Sequence, residues 1–262
     1  MNGFQFNTAK FDFWPIYEAI KKYYPIGVAA DPAFYAAYPG RKALTDILVD
    51  NIHDDVQYAS TWKRFEQEIA ATTGKPVTGT TYGQQFCYSA YVTLQVHVNE
   101  NFTHRHLVHF FVSLLGPFYT VIGESENTLV IPEEEQVFPT YKTTNYLVSA
   151  PHDGFAVPFR QIEQAIETRF EHYRFVPYWI CQQQIEGLYL HHQNETRLPS
   201  IFNALFNDQL NLSDQTYRPV GDTFYKSEAW IKKDYDPSKD GQWTVYPPLG
   251  YFRNGAGEDP EG

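Results

Sequence analysis

Four of the nine histidines lie in the short stretch HVNENFTHRHLVHFF, residues 97–111. We predict two strands joined by a turn here, with His97 ending the first strand and His104 and His106 beginning the second. A four-residue connection, 100–103, would place His97 directly opposite His106, where β-carbons on paired strands lie roughly 5 Å apart. Three imidazoles on one face at that separation could bind a transition metal. His97, His104 and His106 are therefore the candidate metal ligands.

The same histidines are also typical of polar, amphipathic positions on a strand surface, so the metal prediction has a plainer alternative. A connection longer or shorter by one residue would send His97 and His106 to opposite faces. No H-E-x-x-H motif supplies a carboxylate at a fixed spacing. His109 should point away from the other three, because side chains alternate along a strand. No other residue pattern indicates a cofactor, and we expect none.

A second candidate for chemistry is the sequence SAPHDGF, which contains His152 and Asp153. A His–Asp pair on a loop between a strand and a helix lies where catalytic residues often occur. The same residues are also good turn formers, and Asp153 could cap the helix that follows. Nucleophile and nucleotide motifs are missing: there is no G-x-S-x-G, no P-loop and no strand-linked G-x-G-x-x-G. A catalytic site, if present, is predicted at His152 and Asp153.

The most acidic stretch, GESENTLVIPEEEQVFPTY, is a candidate for partner binding. Glu133, Glu134 and Glu135 form a local negative patch beside Phe138 and Tyr141. Aromatic rings surrounded by charge are a common composition for a protein interface. The alternative is a solvated acidic loop with no partner.

The hydrophobic pattern predicts the elements that must position these residues. It has a helical period up to about residue 75 and then a period of two, with alternate residues from Tyr88 to Val98 expected on one buried face. Short turns between the strands indicate an antiparallel meander. The predicted layout is helical over 1–75, a sheet over 84–150, helices over 155–208, a Pro- and aromatic-rich irregular segment over 209–253 and a disordered tail over 254–262.

We therefore predict a single α+β domain, residues 1–253, in which a β-meander of about four to six strands packs with N-terminal and C-terminal helices. Two details of this layout can be tested directly. The sequence SENT, residues 125–128, is expected to be a turn between the third and fourth strands. Glu163, Glu167 and Glu171 recur every four residues in the helix after residue 155 and are expected to form a solvated face.

Charge and cysteine usage limit the partners and the compartment. The chain carries 31 acidic and 20 basic side chains, a formal charge of −11. A negative surface repels phosphate backbones, so nucleic acid is a poor candidate ligand and we expect none. The charge suits a basic protein partner or plain solubility, and solubility is the more common reason for such a charge. Cys87 and Cys181 have no disulfide or zinc spacing, which indicates a reducing compartment. No signal sequence and no membrane-spanning apolar run are present, so we expect a cytoplasmic protein with no membrane contact.

The acidic, aromatic-rich α+β character without catalytic motifs is similar to that of bacterial immunity proteins, which bind and block a toxin. This similarity rests on composition and on no motif. It implies a non-catalytic protein-binding module that neutralises a basic toxin. The alternatives are a metal-dependent or His/Asp-based hydrolase and a subunit of a larger assembly.

Overall fold

The central sheet is an antiparallel meander whose strands follow chain order, β1-β2-β3-β4-β5, with a short sixth strand parallel to β4. The structure is a computed structural model that describes residues 6, 8–27, 32–131, 140–190, 198–212 and 219–239. The α+β class and the predicted number of strands are confirmed. The strands are β1 Val77–Gly79, β2 Cys87–Asn99, β3 Phe102–Ser113, β4 Phe118–Val130, β5 Thr140–Val148 and β6 Arg174–Phe175.

Helices lie on either side of these strands in the chain. They are α1 Trp14–Tyr23, α2 Pro32–Ala37, α3 Gly40–Leu48, α4 Asp55–Tyr58, α5 Arg64–Thr73, α6 Ala156–Arg169, α7 Tyr178–Cys181 and α8 Ile201–Leu205. Two π-helical segments continue the helices, Val49–His53 after α3 and Ala59–Lys63 between α4 and α5. Asp54 has an extended backbone, separates the first segment from α4 and caps α4 by accepting from the Gln57 N–H. The left-handed backbone of Gly74 ends α5, as its position after the last apolar residue predicts.

Alternation along the strands divides the core into two layers, one on each side of the sheet. On the front face Ala90, Phe110 and Val121 pack with residues of α5 and α6. On the back face Phe111 and Ile122 pack with residues of α1, α7 and α8. The sheet is therefore buried on both faces over its central part, which explains the long apolar run in β3.

A bulge in β2 changes which residues face the core. The pairing register between β2 and β3 shifts between Thr93 and Gln95. An inserted residue moves every later side chain to the opposite face. The expectation of one continuous face from Tyr88 to Val98 is therefore wrong beyond the bulge: Val92 lies on the front face, whereas Val96 lies on the back face and is exposed.

The predicted turn at residues 125–128 is also wrong. β4 runs without interruption from Phe118 to Val130 and pairs with β3 and β5 along this stretch. Glu124 and Glu126, which appear in the sequence as turn residues, are buried in the middle of the sheet. Their side chains find hydrogen-bond and ion-pair partners on neighbouring strands, and those long-range contacts override the local preference of polar residues for a turn.

The start of α6 lies against the front face of β4 because position 123 is glycine. A β-carbon at Gly123 would lie 2.7 Å from Cβ of Val148 and 2.8 Å from Cδ1 of Phe155. Phe155 in turn contacts His106, with ring centroids 5.2 Å apart. The absence of one side chain therefore sets how closely the helix approaches the histidines of β3.

The described parts of the irregular C-terminal segment, residues 209–212 and 219–239, pack on the body of the protein. Trp230 is fully buried, and its indole N–H donates to the Phe175 carbonyl at 2.7 Å. Trp179 Nε1 donates to Ser227 Oγ, also at 2.7 Å. The predicted tail, residues 254–262, lies outside the described residues. Within the ranges that the structure describes, no helix is both long and apolar enough to cross a bilayer.

Candidate partner-binding surface

Burial decreases along β2, β3, β4 and β5 toward the end of the sheet that carries the β2–β3 turn. The front-face side chains at this end lie beyond the contact between Phe155 and His106 and reach solvent. We call this surface the distal face. It contains one apolar row and one cluster of polar side chains.

Three apolar residues form a row directly across three adjacent strands. Phe102 pairs with Leu129, and Leu129 pairs with Tyr141. Their exposed fractions are 40%, 42% and 55%. Side chains opposite each other on paired strands are in contact distance, so the three form one continuous patch, the distal row. Contiguous exposed apolar side chains are typical of interaction sites, whereas scattered ones are not.

The histidines lie next to this row, in a register different from the predicted one. His97 pairs with His104 and not with His106, because the β2–β3 connection is only Glu100 and Asn101. Glu100 adopts the left-handed region with φ 46°, as such tight turns require. The real register differs from the predicted one by two residues, so the three histidines still share a face.

Hydrogen-bond partners in the cluster assign the tautomers of His104 and His106. His104 Nδ1 lies 2.7 Å from Asn127 Oδ1, so this nitrogen carries the proton and donates. His104 Nε2 then accepts from the Nε2–H of His106 at 3.1 Å. The amide of Asn127 donates to Asn145 Oδ1 at 2.8 Å, and Asn145 donates to Ser125 Oγ at 3.2 Å. The hydrogen bonds therefore run in one direction, from His106 through His104, Asn127 and Asn145 to Ser125.

The pKa of His106 is lowered from its ordinary value, first by burial and then by the nearby His104 and His97. The neutral form is therefore favoured near neutral pH. His97 is held differently, because its Nε2 lies 2.6 Å from the side-chain nitrogen of Gln95. Among the residues with described positions, no three His, Cys, Asp or Glu side chains are grouped as a metal site. The three predicted ligands thus share a face but do not form a ready-made three-ligand centre.

The back face beneath the distal face holds a buried charged network. His109 points there, as strand alternation predicts, and its Nε2 lies 2.8 Å from Glu124 Oε2. Thr144 donates to the other oxygen of Glu124 at 2.6 Å. Burial alone would raise the pKa of Glu124, but His109, Lys142 and Thr144 outweigh it and hold that pKa at about 2. Glu126 is paired in the same way with Arg105 and Lys142.

Sequence reasoning placed Glu124 and Glu126 on the surface and so missed this network. The alternation of side chains along each strand could have revealed this network. His109, Glu124 and Glu126 all fall on the same face of their strands once β4 is read as continuous. The network makes the distal end of the sheet rigid, because paired and hydrogen-bonded buried charges leave few alternative arrangements.

The predicted solvated face of α6 is wrong at Glu163, which belongs to a second group of paired acidic side chains. Glu163 is buried, and its carboxylate accepts from Tyr225 at 3.0 Å and lies 3.3 Å from Lys226 Nζ. Burial raises the pKa of Glu163. Burial acts in the same direction on Glu167, but bonds from Lys226 at 2.7 Å and Tyr119 at 2.6 Å lower the pKa of that carboxyl. These bonds attach the C-terminal segment to α6.

The predicted catalytic pair lies elsewhere. His152 Nε2 is 3.1 Å from Asp153 Oδ2, and both side chains are exposed at the turn after β5. Asp153 adopts φ 43°, a conformation that few residues other than glycine favour. It does not cap the helix, because Phe155 occupies the N-cap position of α6. A catalytic role for His152 and Asp153 stays a prediction.

Among the predicted partner-binding residues, Tyr141 is in the distal row and half exposed. Glu133, Glu134, Glu135 and Phe138 lie outside the described residues. Sequence reasoning missed the other two members of the row, Phe102 and Leu129. Both occupy positions where apolar residues alternate with polar ones at the end of a strand, and such a pattern does not show whether a face is covered.

Comparison with known proteins identifies no relative. The chain matches no family model, no curated protein and no solved structure. Its function has to be inferred from the arrangement of its own residues.

Proposed function

We propose that this chain is a non-catalytic binding protein that holds a basic protein partner against the distal face, as an immunity-type protein holds a toxin. The observation that carries the proposal is the distal row. Phe102, Leu129 and Tyr141 leave 40%, 42% and 55% of their surfaces exposed while lying directly across neighbouring strands. Apolar and aromatic anchors of this kind supply most of the affinity in protein interfaces.

Charge supports the choice of a basic partner. The whole chain has a formal charge of −11, and the sequence that joins β4 to β5 contains three consecutive glutamates. Opposite charge on the partner would accelerate encounter and suppress wrong partners, and salt would weaken this effect. The buried network of Glu124 and Glu126 keeps the strands in a fixed arrangement, so little conformational entropy would be lost on binding.

The experiment compares two variants that place the same charge on different surfaces. Leu129→Asp puts a carboxylate in the middle of the distal row. Val157→Asp puts one on α6, where the valine is 64% exposed. Tagged wild-type protein and both variants are incubated with extract of the native host at low and at high salt, and retained proteins are identified by mass spectrometry.

We expect one basic protein that wild type and Val157→Asp retain at low salt and release at high salt, and that Leu129→Asp does not retain. Buried unpaired charge in a binding site costs several kcal/mol, so the loss should be nearly complete. A partner that Leu129→Asp retains as well as wild type would place binding elsewhere. Failure of wild type to retain any basic protein at low salt would contradict the proposal.

The two alternative functions predict different behaviour. A hydrolase would depend on the His152–Asp153 pair, so His152→Ala would abolish activity in a substrate screen while leaving partner retention unchanged. A subunit of a larger assembly would form a homo-oligomer, which light scattering on the purified chain measures directly.

A further inference from the structure

We propose that His104 and His106 together bind one divalent transition-metal ion of the Zn²⁺ class between their Nε2 atoms, with water in the remaining positions. This site is distinct from the distal row and does not depend on a protein partner. The three-imidazole centre that the sequence predicts is not required for it, since two of the three rings already converge.

The distance between the two nitrogens carries the proposal. His104 Nε2 and His106 Nε2 lie 3.1 Å apart. Zinc binds imidazole nitrogen at roughly 2.0–2.1 Å, so two ligands of a tetrahedral ion are separated by about 3.4 Å. The pair would have to open by only about 0.3 Å to hold the ion, a change within ordinary side-chain motion. In the metal-free protein the Nε2–H proton of His106 occupies the position between the nitrogens. When the ion binds, His106 carries its proton on Nδ1 and both Nε2 lone pairs are available to the ion.

The surroundings of His104 already orient it as a ligand. Its Nδ1–H donates to Asn127 Oδ1 at 2.7 Å, which leaves the lone pair of Nε2 directed at His106. Metal-binding histidines generally donate the other ring N–H in this way, and the partner fixes both tautomer and ring orientation. Asn127 is itself held by Asn145, and Asn145 by Ser125. A chain of three side chains therefore supports one ligand.

His106 is restrained by packing. Its ring centroid lies 5.2 Å from that of Phe155, which directly precedes α6. The hydroxyl oxygen of Tyr146 lies 3.4 Å from His106 Nε2 and adds an oxygen next to the ion position. Both histidines are partly exposed, so water can reach the remaining coordination positions from the distal face.

The two cysteines compete poorly for the ion. Cys87 and Cys181 are buried free thiols, and burial raises the pKa of Cys181 to about 12 and that of Cys87 further. Thiols in that state do not act as ligands, because the thiolate is the form that binds metal. His53 is exposed on a different part of the molecule, where its Nε2 contacts the Gly83 carbonyl, and it provides a matched control.

The test is a titration of metal-free protein with ZnCl₂, followed by calorimetry and by NMR of the imidazole resonances. We expect one ion per chain, with His104 and His106 resonances shifting first. His106→Ala should weaken binding by more than about tenfold, and Asn127→Ala by about tenfold through loss of ligand orientation. His53→Ala should leave the affinity unchanged. Circular dichroism and thermal denaturation check that each variant is folded.

Equal affinity of wild type and His106→Ala would overturn the proposal, as would early shifts of imidazoles other than those of His104 and His106. If His106→Ala does not fold, the wild-type NMR titration and Asn127→Ala decide the matter. Absence of zinc binding by wild type would also overturn it.

Discussion

Replacing Glu124 by glutamine should strongly destabilise the fold, although the two side chains have almost the same shape. The Glu124 side chain is only 2% exposed, and that of His109 is 6% exposed. Two donors converge on the carboxylate, His109 Nε2–H at 2.8 Å and the Thr144 hydroxyl at 2.6 Å. A glutamine amide has only one acceptor oxygen and no charge, so it can accept from only one of the two donors and loses its attraction to His109 and Lys142.

The magnitude follows from the pKa of Glu124. The ordinary value of 4.5 falls to about 2 in the folded protein. Each pKa unit corresponds to about 1.4 kcal/mol, so the folded state favours the charged form by roughly 3 kcal/mol. Removal of one partner of a buried ion pair costs about 3–5 kcal/mol, which agrees. We therefore expect Glu124→Gln to lower the free energy of unfolding by about 3 kcal/mol.

The assay is urea denaturation monitored by tryptophan fluorescence, first at pH 7. Asp46→Asn is the control, because the Lys42–Asp46 pair is exposed, with side chains 84% and 53% accessible. Loss of an exposed pair has little effect on stability, because water and salt already screen its charges. A loss for Glu124→Gln no larger than for Asp46→Asn would refute the reasoning about the buried network.

The same pair of proteins gives a test that depends on pH. A carboxyl whose pKa is lowered in the folded state contributes its full stability above its unfolded value, here near 4.5. That contribution is lost as pH falls from 4.5 through about 2. The difference in unfolding free energy between wild type and Glu124→Gln should therefore shrink over this window. A difference that stays constant from pH 6 to pH 3 would contradict the assignment.

The remaining predictions concern positions where α6 and the C-terminal segment join the sheet. Gly123→Ala should lower stability by about 1–3 kcal/mol through overpacking, measured by thermal denaturation. Gly154→Ala should have little effect, because a β-carbon at Gly154 would meet no atom within 4 Å. Lys226→Met should lower the free energy of unfolding by about 2 kcal/mol, because the buried Glu163 loses its cation. Limited proteolysis should then cut residues 219–239 faster than in wild type. Resistance equal to wild type would show that Lys226 does not anchor this segment.

The order of the elements was predictable because it depends on local pattern. The helical spacing of Ile16 and Ile20 and the alternation in β2 reflect which residues must avoid water within one element. The meander follows from short connections between successive strands. Gly74 ends α5 because its missing β-carbon permits a left-handed backbone.

The continuity of β4 could not be predicted in the same way. Glu124, Ser125, Glu126 and Asn127 have the composition of a turn, and only contacts from β3 and β5 make them a strand. Glu163 is a similar case: its spacing with Glu167 predicts a solvated face, yet residues about 60 positions later bury it. Cross-strand and long-range partners are not visible in a window of neighbouring residues.

The amino-acid sequence alone determined the α+β class, the negative charge and the sharing of one face by His104 and His106, whereas the position of His97 on that face depends on the β2–β3 pairing. The alternation of side chains and the net charge can be counted from neighbouring residues, so neither depends on the register in which two strands pair. Tertiary structure decided which surface is available and which charges are buried. Phe102, Leu129 and Tyr141 became one exposed row, and Glu124 became part of the core, because strand pairing joins residues that are distant in the chain.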